Sequence, residues 1–340
     1  MTRAEALGFL GAAETFQLCG EGPVLKTLHG VVVDDWLCFH SSPVGEKTSL
    51  VGQRVVASVE DVVARIPSTF LDPERACPAT TLFRSVQAHG VLRELSEPAL
   101  KARALQALME KLQPEGGHVP ITHEDPRYAA AVRGLLIAGL SLDQVDGKAK
   151  LAQNRSVADR VRVLAGLWAR GAAGDTRAIE LVRRANPADP APAPFEAPSG
   201  FRLHAWLEPS RAVEAASLLV GEYWNDGVFS LEDLVAAHLG SSAWIGATDE
   251  SGALVASARA IADGGKYAWV YDVVVAGSAR ARGLGKAVVR LLLDHPSVRR
   301  CRRVLLATRD AQGLYAPLGF VPRTSLPPRP WASSELVLVR

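Results

Sequence analysis

The stretch KYAWVYDVVVAGSARARGLGKAVVRLLLD, residues 266–294, leaves this chain few ways to fold. Residues 267–275 are aromatic and β-branched, with neither glycine nor proline, which predicts a buried strand. A short flexible interval follows: Ala276, Gly277, Ser278, Ala279. Arg280-x-x-Gly283-x-Gly285 then opens a segment with apolar Leu284, Ala287, Val288, Leu291 and Leu292. That spacing lays one buried stripe along a helix. At such a strand–turn–helix junction, free backbone N–H groups and the positive end of the helix dipole converge. Glycines there let a ligand approach the main chain closely, so the junction predicts an anion site.

Two familiar phosphate loops fail on these residues. A Walker loop needs glycine where Arg280 stands and Ser or Thr where Ala287 stands. A dinucleotide fingerprint needs glycine where Val288 stands. The segment instead resembles motif A of the GNAT superfamily of N-acetyltransferases, [RQ]-x-x-G-x-[GA]. Downstream, Leu314-Tyr315-x-x-Leu318-Gly319-Phe320 resembles the same family's motif B. The resemblance implies an α/β acetyltransferase fold that takes acetyl-CoA as cosubstrate. By it, Arg280 and the N–H groups around Gly283 and Gly285 would hold the pyrophosphate, with Lys286 or Arg282 nearby. The backbone of Val273 and Val275 would pair with the pantetheine arm. Tyr315 would be the acid for the departing sulfur, by resemblance and by its hydroxyl chemistry. Asp272, a carboxylate among apolar strand residues, is either a base for the amine or a buried structural acceptor. Tyr223 and Trp224 stand where the family keeps substrate contacts, and as aromatics they could equally be core.

Residues 185–200, ANPADPAPAPFEAPSG, are rich in proline and alanine and predict an extended spacer. This divides the chain into a domain over 1–184, a linker over 185–199 and a domain over 200–340. With 340 residues, each domain can bury its own core. The first opens with an expected helix over 4–16, then strands over 24–33 and 36–40. Gly22-Pro23 is expected as a turn. Next comes a short helix begun by Ser41-Ser42-Pro43. Strands are expected over 54–58, 83–92 and 135–141, and helices over 101–111, 125–133 and 157–170.

This order resembles the FMN-binding split barrel, the pyridoxamine 5′-phosphate oxidase-like superfamily. HSSPVGEK after a strand, FRSVQAHG on a later strand and GKAKLAQNR carry the likeness. The last is similar to K-[LM]-S-Q-N-R of the FMN-binding negative transcriptional regulator family, with Ala152 in the place of Ser. The resemblance implies FMN bound at a homodimer interface. His40, Ser41 and Lys47 would supply phosphate donors from one strand–helix turn, and Arg84 with Ser85 from a facing strand. Lys150, Asn154 and Arg155 would close the site from the partner subunit.

A net charge of +2 gives no general drive toward nucleic acid or membrane. The run Arg299, Arg300, Arg302, Arg303 lacks interleaved aromatics and reads as a solvated face. Four scattered cysteines without metal spacing suit a reducing cytoplasm. The expectation is a cytoplasmic two-domain protein that transfers acetyl from acetyl-CoA to a small-molecule amine. A flavin-dependent oxidoreductase and a flavin-sensing regulatory protein are the rival readings.

Overall fold

In the computed structural model, which describes residues 1–22, 24–225 and 227–327, the chain divides into two units, Met1–Arg155 and Ser156–Arg340. The first contains α1 (Arg3–Ala12), β1 (Thr15–Cys19), β2 (Leu25–His29), β3 (Val31–Val33), β4 (Trp36–Ser41), β5 (Arg54–Ile66) and β6 (Thr80–Glu94). α2 (Pro98–Leu112), α3 (Pro126–Gly134), β7 (Leu136–Ser141) and β8 (Val145–Lys150) complete it. The strand path runs β2-β1-β5-β6-β7-β4-β3, with β8 beside β6. All its pairings are antiparallel.

The two ends of this path, β2 and β3, are consecutive in the chain and separated only by Gly30. The sheet therefore turns back on itself as a nearly closed barrel. Gly30 is required there. A Cβ on it would stand 2.4 Å from the Phe16 ring and 3.1 Å from the Cys38 carbonyl. Inside, Phe16, Leu18, Leu37, Phe39, Leu50, Val86, Leu92 and Leu140 form one core with Leu10 of α1. Each such side chain contributes about 1.5–3 kcal/mol by leaving water.

Three expectations for this unit are corrected. The first helix ends at Ala12 rather than at residue 16. Thr15–Cys19 alternates exposed and buried side chains and pairs with both β2 and β5, so the sheet claims it. The helix expected after His40 does not form. Ser41 still pairs with Leu136 in the sheet, and Pro43 and Gly45 (φ +113°) interrupt the chain just beyond it. Only a single 3₁₀ turn at Thr48–Leu50 appears. The strand expected over 54–58 runs on to Ile66, because its partner β6 is long enough to pair with it as far as Thr80.

The second unit contains α4 (Val157–Arg170), α5 (Asp175–Ala185), β9 (Phe201–His204), α6 (Ala212–Ser217), α7 (Leu231–Leu239), β10 (Ala243–Asp249) and β11 (Leu254–Ala262). β12 (Tyr267–Val275), α8 (Leu284–Asp294), β13 (Arg303–Leu305) and α9 (Gln312–Tyr315) complete the described part. Its sheet has the order β13-β12-β11-β10-β9. Only β12 and β13 are parallel, with α8 as the crossover between them.

The division falls at Arg155, earlier than the proline-rich stretch, and that stretch is no free spacer. Phe195 in its middle is buried, its ring 5.1 Å from that of Trp168. Asp189 is bound by Arg160, and Trp168 on α4 donates to Asp294 on α8. Glu180 of α5 is buried and accepts from Arg183, from the Ala205 amide and from the His204 ring. Burial alone would raise this carboxyl; the bonds from His204 and Arg183 outweigh it and hold the group below its ordinary range. These contacts bind residues 156–199 into the second unit. Pro23 of the expected turn and residues 328–340 of the expected second domain lie outside the described residues.

Candidate functional site

β12 is the element that organises the second unit's cleft. Its antiparallel register with β11 pairs Ser257 with Val274 and Arg259 with Tyr271, so Asp272 and Val273 of β12 lie against Ala258 alone. Asp272 takes up the extra residue as a bulge with φ +50°. On its other edge β12 pairs with β13 only through Tyr267, Ala268 and Trp269. Beyond them β12 continues to Val275 while β13 stops at Leu305. The strands splay, and the edge of β12 past Trp269 has no strand partner among the described residues. A cavity of about 960 Å³ opens there, within the range of small-molecule sites.

One end of this cleft meets the start of α8. Gly283 is the N-cap with φ +80°, a left-handed conformation that costs a side-chain-bearing residue. No side chain caps the helix and its first turn has no acidic residue. The amides of Leu284, Gly285 and Lys286 precede the first intrahelical bond, made by Ala287 to Gly283, and so remain without helix partners. The junction thus has the free amides that its sequence predicts for an anion site.

The flanking cations are less available. Arg280 donates through Nε to the Val275 carbonyl at 2.9 Å and pairs with Glu222 at 2.7 Å. Arg282 turns to the Ser199 carbonyl and stacks 4.2 Å from the Phe201 ring centre. Lys286 is exposed on the first turn of α8. Gly285 does not owe its place to crowding, since a Cβ there would meet Val275 and Leu314 at ordinary contact distances.

Val273, Val275 and Tyr315 all line the cleft. Tyr315 is buried and packs edge-on against Phe320, and its hydroxyl has no hydrogen-bond partner among the described residues. Burial, and secondarily the nearby Tyr223, push its pKa up from the ordinary tyrosine value, which favours the protonated phenol. Asp272 is also buried, but its carboxylate is engaged. Arg259 donates to Oδ2 at 2.5 Å and Trp224 Nε1 to Oδ1 at 3.2 Å. Tyr223 accepts from the Arg309 amide at 3.0 Å, with the Arg309 guanidinium 3.7 Å from its ring centre. Tyr223 and Trp224 are therefore cleft-wall residues.

Four further cleft residues escape a reading of the sequence: Arg259, Trp269, Tyr271 and Asn225. The strand is expected to be buried, yet Tyr267, Trp269 and Tyr271 are 37–40% exposed along one face. Their period-two aromatic spacing is the available signal. Asn225 is buried, and its Nδ2 has no partner among the described residues.

In the barrel the expected flavin-phosphate donors are dispersed among local partners. Arg84 pairs with Asp61 directly across β5 and β6 (2.8 Å) and lies 4.7 Å from the Phe9 ring. Lys150 donates to Thr80 at 2.5 Å and Arg155 to the Pro78 carbonyl at 3.1 Å. Ser85 lies beside Arg84 opposite Glu60, Ser41 is buried, and His40 and Asn154 are exposed. Lys47 is half-buried just before the 3₁₀ turn, where the missing helix start supplies no dipole. Ala152 is in the left-handed region at φ +63°. Burial, with Asp34 adding to it, pushes the Cys38 thiol up to about 12, so it stays protonated. Among the described residues no cluster of His, Cys, Asp and Glu could hold a metal ion, and no helix is long and apolar enough to cross a membrane.

A splayed parallel pair beside an uncapped helix start defines the second unit as an acetyltransferase-type α/β fold, and the first is a split barrel. Residues 202–320 match the acetyltransferase (GNAT) family and residues 3–149 the pyridoxamine 5′-phosphate oxidase family. The chain joins one member of each. It is 42% identical over 72 residues to glucosamine 6-phosphate N-acetyltransferase 1 of Oryza sativa subsp. japonica, covering 21% of this chain and 44% of that protein. The chain spans less than half the length of the curated relatives it matches. Among solved structures, a GNAT-family protein of Xanthomonas campestris pv. campestris is 31% identical over 39% of this chain and 94% of its own, with a TM-score of 0.33. The flavocytochrome Anf3 of Azotobacter vinelandii is 20% identical over 43% of this chain and 66% of its own, with a TM-score of 0.37.

Proposed function

We propose that the second unit transfers an acetyl group from acetyl-CoA to the amine of a small molecule. The observation that carries this is the splay of β12 from β13 beside the uncapped start of α8. The amides of Leu284, Gly285 and Lys286 receive the pyrophosphate, and the open edge of β12 at Val273 and Val275 pairs with the pantetheine arm. A backbone N–H on that edge polarises the thioester carbonyl. The neutral amine attacks the carbonyl carbon, the C–S bond breaks, and the amine's proton leaves to water. Tyr315 gives its phenolic proton to the departing thiolate. Asp272, already bound to Arg259 and Trp224, fixes the bulge and the cleft wall. Its engagement supports a positioning role over that of base. Calorimetry with acetyl-CoA, followed by an amine panel read as free thiol release, tests the proposal. The expected result is saturable coenzyme binding and amine-dependent thiol release; no coenzyme binding by folded protein rejects it.

For the first unit we propose FMN bound at a homodimer of barrels. Family membership supports this, and so does the number of basic, hydroxyl and amide groups at His40, Ser41, Lys47, Arg84, Ser85, Lys150, Asn154 and Arg155. The local pairing of Arg84, Lys150 and Arg155 weighs against a cradle built within one subunit and leaves the twofold partner to complete it. A visible spectrum after FMN addition and light scattering at micromolar concentration test it. A monomer, or a protein that stays colourless, rejects it.

A further inference from the structure

The floor of the cleft away from α8 is aromatic. Ser257 and Arg259 are two apart on β11, so their partners Val274 and Tyr271 share one face of the sheet, the bulge absorbing the odd residue. Trp269, opposite Ile261, is on that face as well. Leu234, Ala216 and Leu219 of the α6–α7 layer cover the face at Val274. Farther along the face, Tyr271, Trp269 and Ile261 are 40%, 37% and 44% exposed. The Trp269 and Tyr271 rings lie nearly parallel, 19° apart with centres 6.0 Å apart, and make one flat shelf. Phe229, 54% exposed, and Trp224 add apolar surface from another wall. Large aromatics left half in water around a cleft mark a surface that a ligand covers.

The charges of the cleft are already matched. Its three guanidiniums are engaged: Arg259 by Asp272, Arg280 by Glu222, and Arg309 by the Tyr223 ring and Asp310. Against them stand four lining carboxylates, Glu222, Asp233, Asp272 and Asp310, an excess of one negative charge. A phosphate on the acceptor would find no uncommitted guanidinium among these residues. An ammonium approaching over aromatic faces would be favoured.

We infer that the acceptor is an arylalkylamine: a flat aromatic ring carrying a primary amine on a short chain, without phosphate. This rests on the reading of the cleft as the acetyl-CoA site. The ring lies on the Trp269–Tyr271 shelf and the amine reaches toward the thioester along β12. Tryptamine and 2-phenylethylamine, assayed beside glucosamine 6-phosphate with acetyl-CoA in excess, provide the test. Either arylalkylamine should exceed glucosamine 6-phosphate in kcat/KM by at least about tenfold. Trp269→Ala should raise KM for tryptamine roughly 2–10-fold, the worth of one stacked ring, with acetyl-CoA affinity unchanged, and Trp269→Phe should recover most of the loss. Acetyl-CoA binding with preference for the sugar phosphate, or with an unchanged KM in Trp269→Ala, overturns this inference alone. Absence of acetyl-CoA binding by the wild-type protein overturns the underlying reading, and this inference with it.

Discussion

The start of α8 and the basic residues of the barrel offer two ways of building an anion site. At α8 the donors are main-chain amides, and helix geometry itself leaves them without partners. Gly283 supplies the left-handed turn that aims them. In the barrel the donors are side chains, and nearer acceptors intercept them: Asp61 takes Arg84 across the β5–β6 pair, and Thr80 takes Lys150. A site made of backbone survives folding because nothing else can use it. A site made of long charged side chains exists only where no closer carboxylate or carbonyl stands.

The largest test of this contrast is Tyr315, a side chain that has stayed unengaged inside the cleft. If its hydroxyl protonates the thiolate, Tyr315→Phe lowers kcat by roughly 10²–10⁴-fold with little change in acetyl-CoA affinity. Because burial raises its pKa, any loss of turnover from deprotonation of that group should set in only at a pH above the ordinary tyrosine range, read from a pH–rate profile. Turnover of the Phe variant within about twofold of wild type would return Tyr315 to packing.

An engaged side chain should behave differently. Asp272→Ala removes the partner of Arg259 in a nearly buried pair and should cost about 3 kcal/mol of stability, read by urea unfolding. A variant of unchanged stability with abolished turnover would instead make Asp272 the base. Next in size is the backbone site. Gly283→Val forces a β-branched residue to φ +80°, at a cost of about 1–2 kcal/mol, and should weaken acetyl-CoA binding by about tenfold or more in calorimetry. Unchanged affinity in a folded variant would move the coenzyme elsewhere. Arg84→Ala is the smallest. If the guanidinium serves chiefly Asp61, the barrel loses about 1 kcal/mol or less and FMN affinity barely moves. A large fall in FMN affinity without loss of stability would show that the pair opens for the phosphate and would erase the contrast.

The same distinction governs what can be read from the sequence. β12 and α4 have the bounds their patterns indicate, because apolar periodicity and capping act locally. Ser156 caps α4 at the Asp159 amide, and Gly171 ends it at φ +60°. β1 is hidden because Phe16 continues the apolar spacing of α1, and only pairing with β2 and β5 decides between helix and strand. β8, VDGKAK, has poor strand propensity and is held by β6. α5 goes unseen because its buried Asp175, Glu180 and Arg183 look like surface charges until Arg170, His204 and the Leu203 carbonyl are in place. In the cleft, Gly283 and Tyr315 are legible as local motifs. The commitments of Arg280, Arg282 and Arg84 are not, since each depends on a partner distant in the chain.

The single extra residue at Asp272 also bears on how such an enzyme can change over time. It divides β12 into two stretches: Trp269 and Tyr271 line the cleft on one side of the bulge, while Val273 and Val275 line it on the other, Val275 beside Gly285. On the proposed reading, a substitution in the first stretch would alter what is acetylated and leave the edge proposed for the coenzyme in register. Deleting one residue at the bulge would instead reverse the alternation beyond it and turn Val274 away from Leu234. Point substitutions in the acceptor stretch can therefore retune selectivity gradually, whereas a change of length at the bulge disables both halves at once.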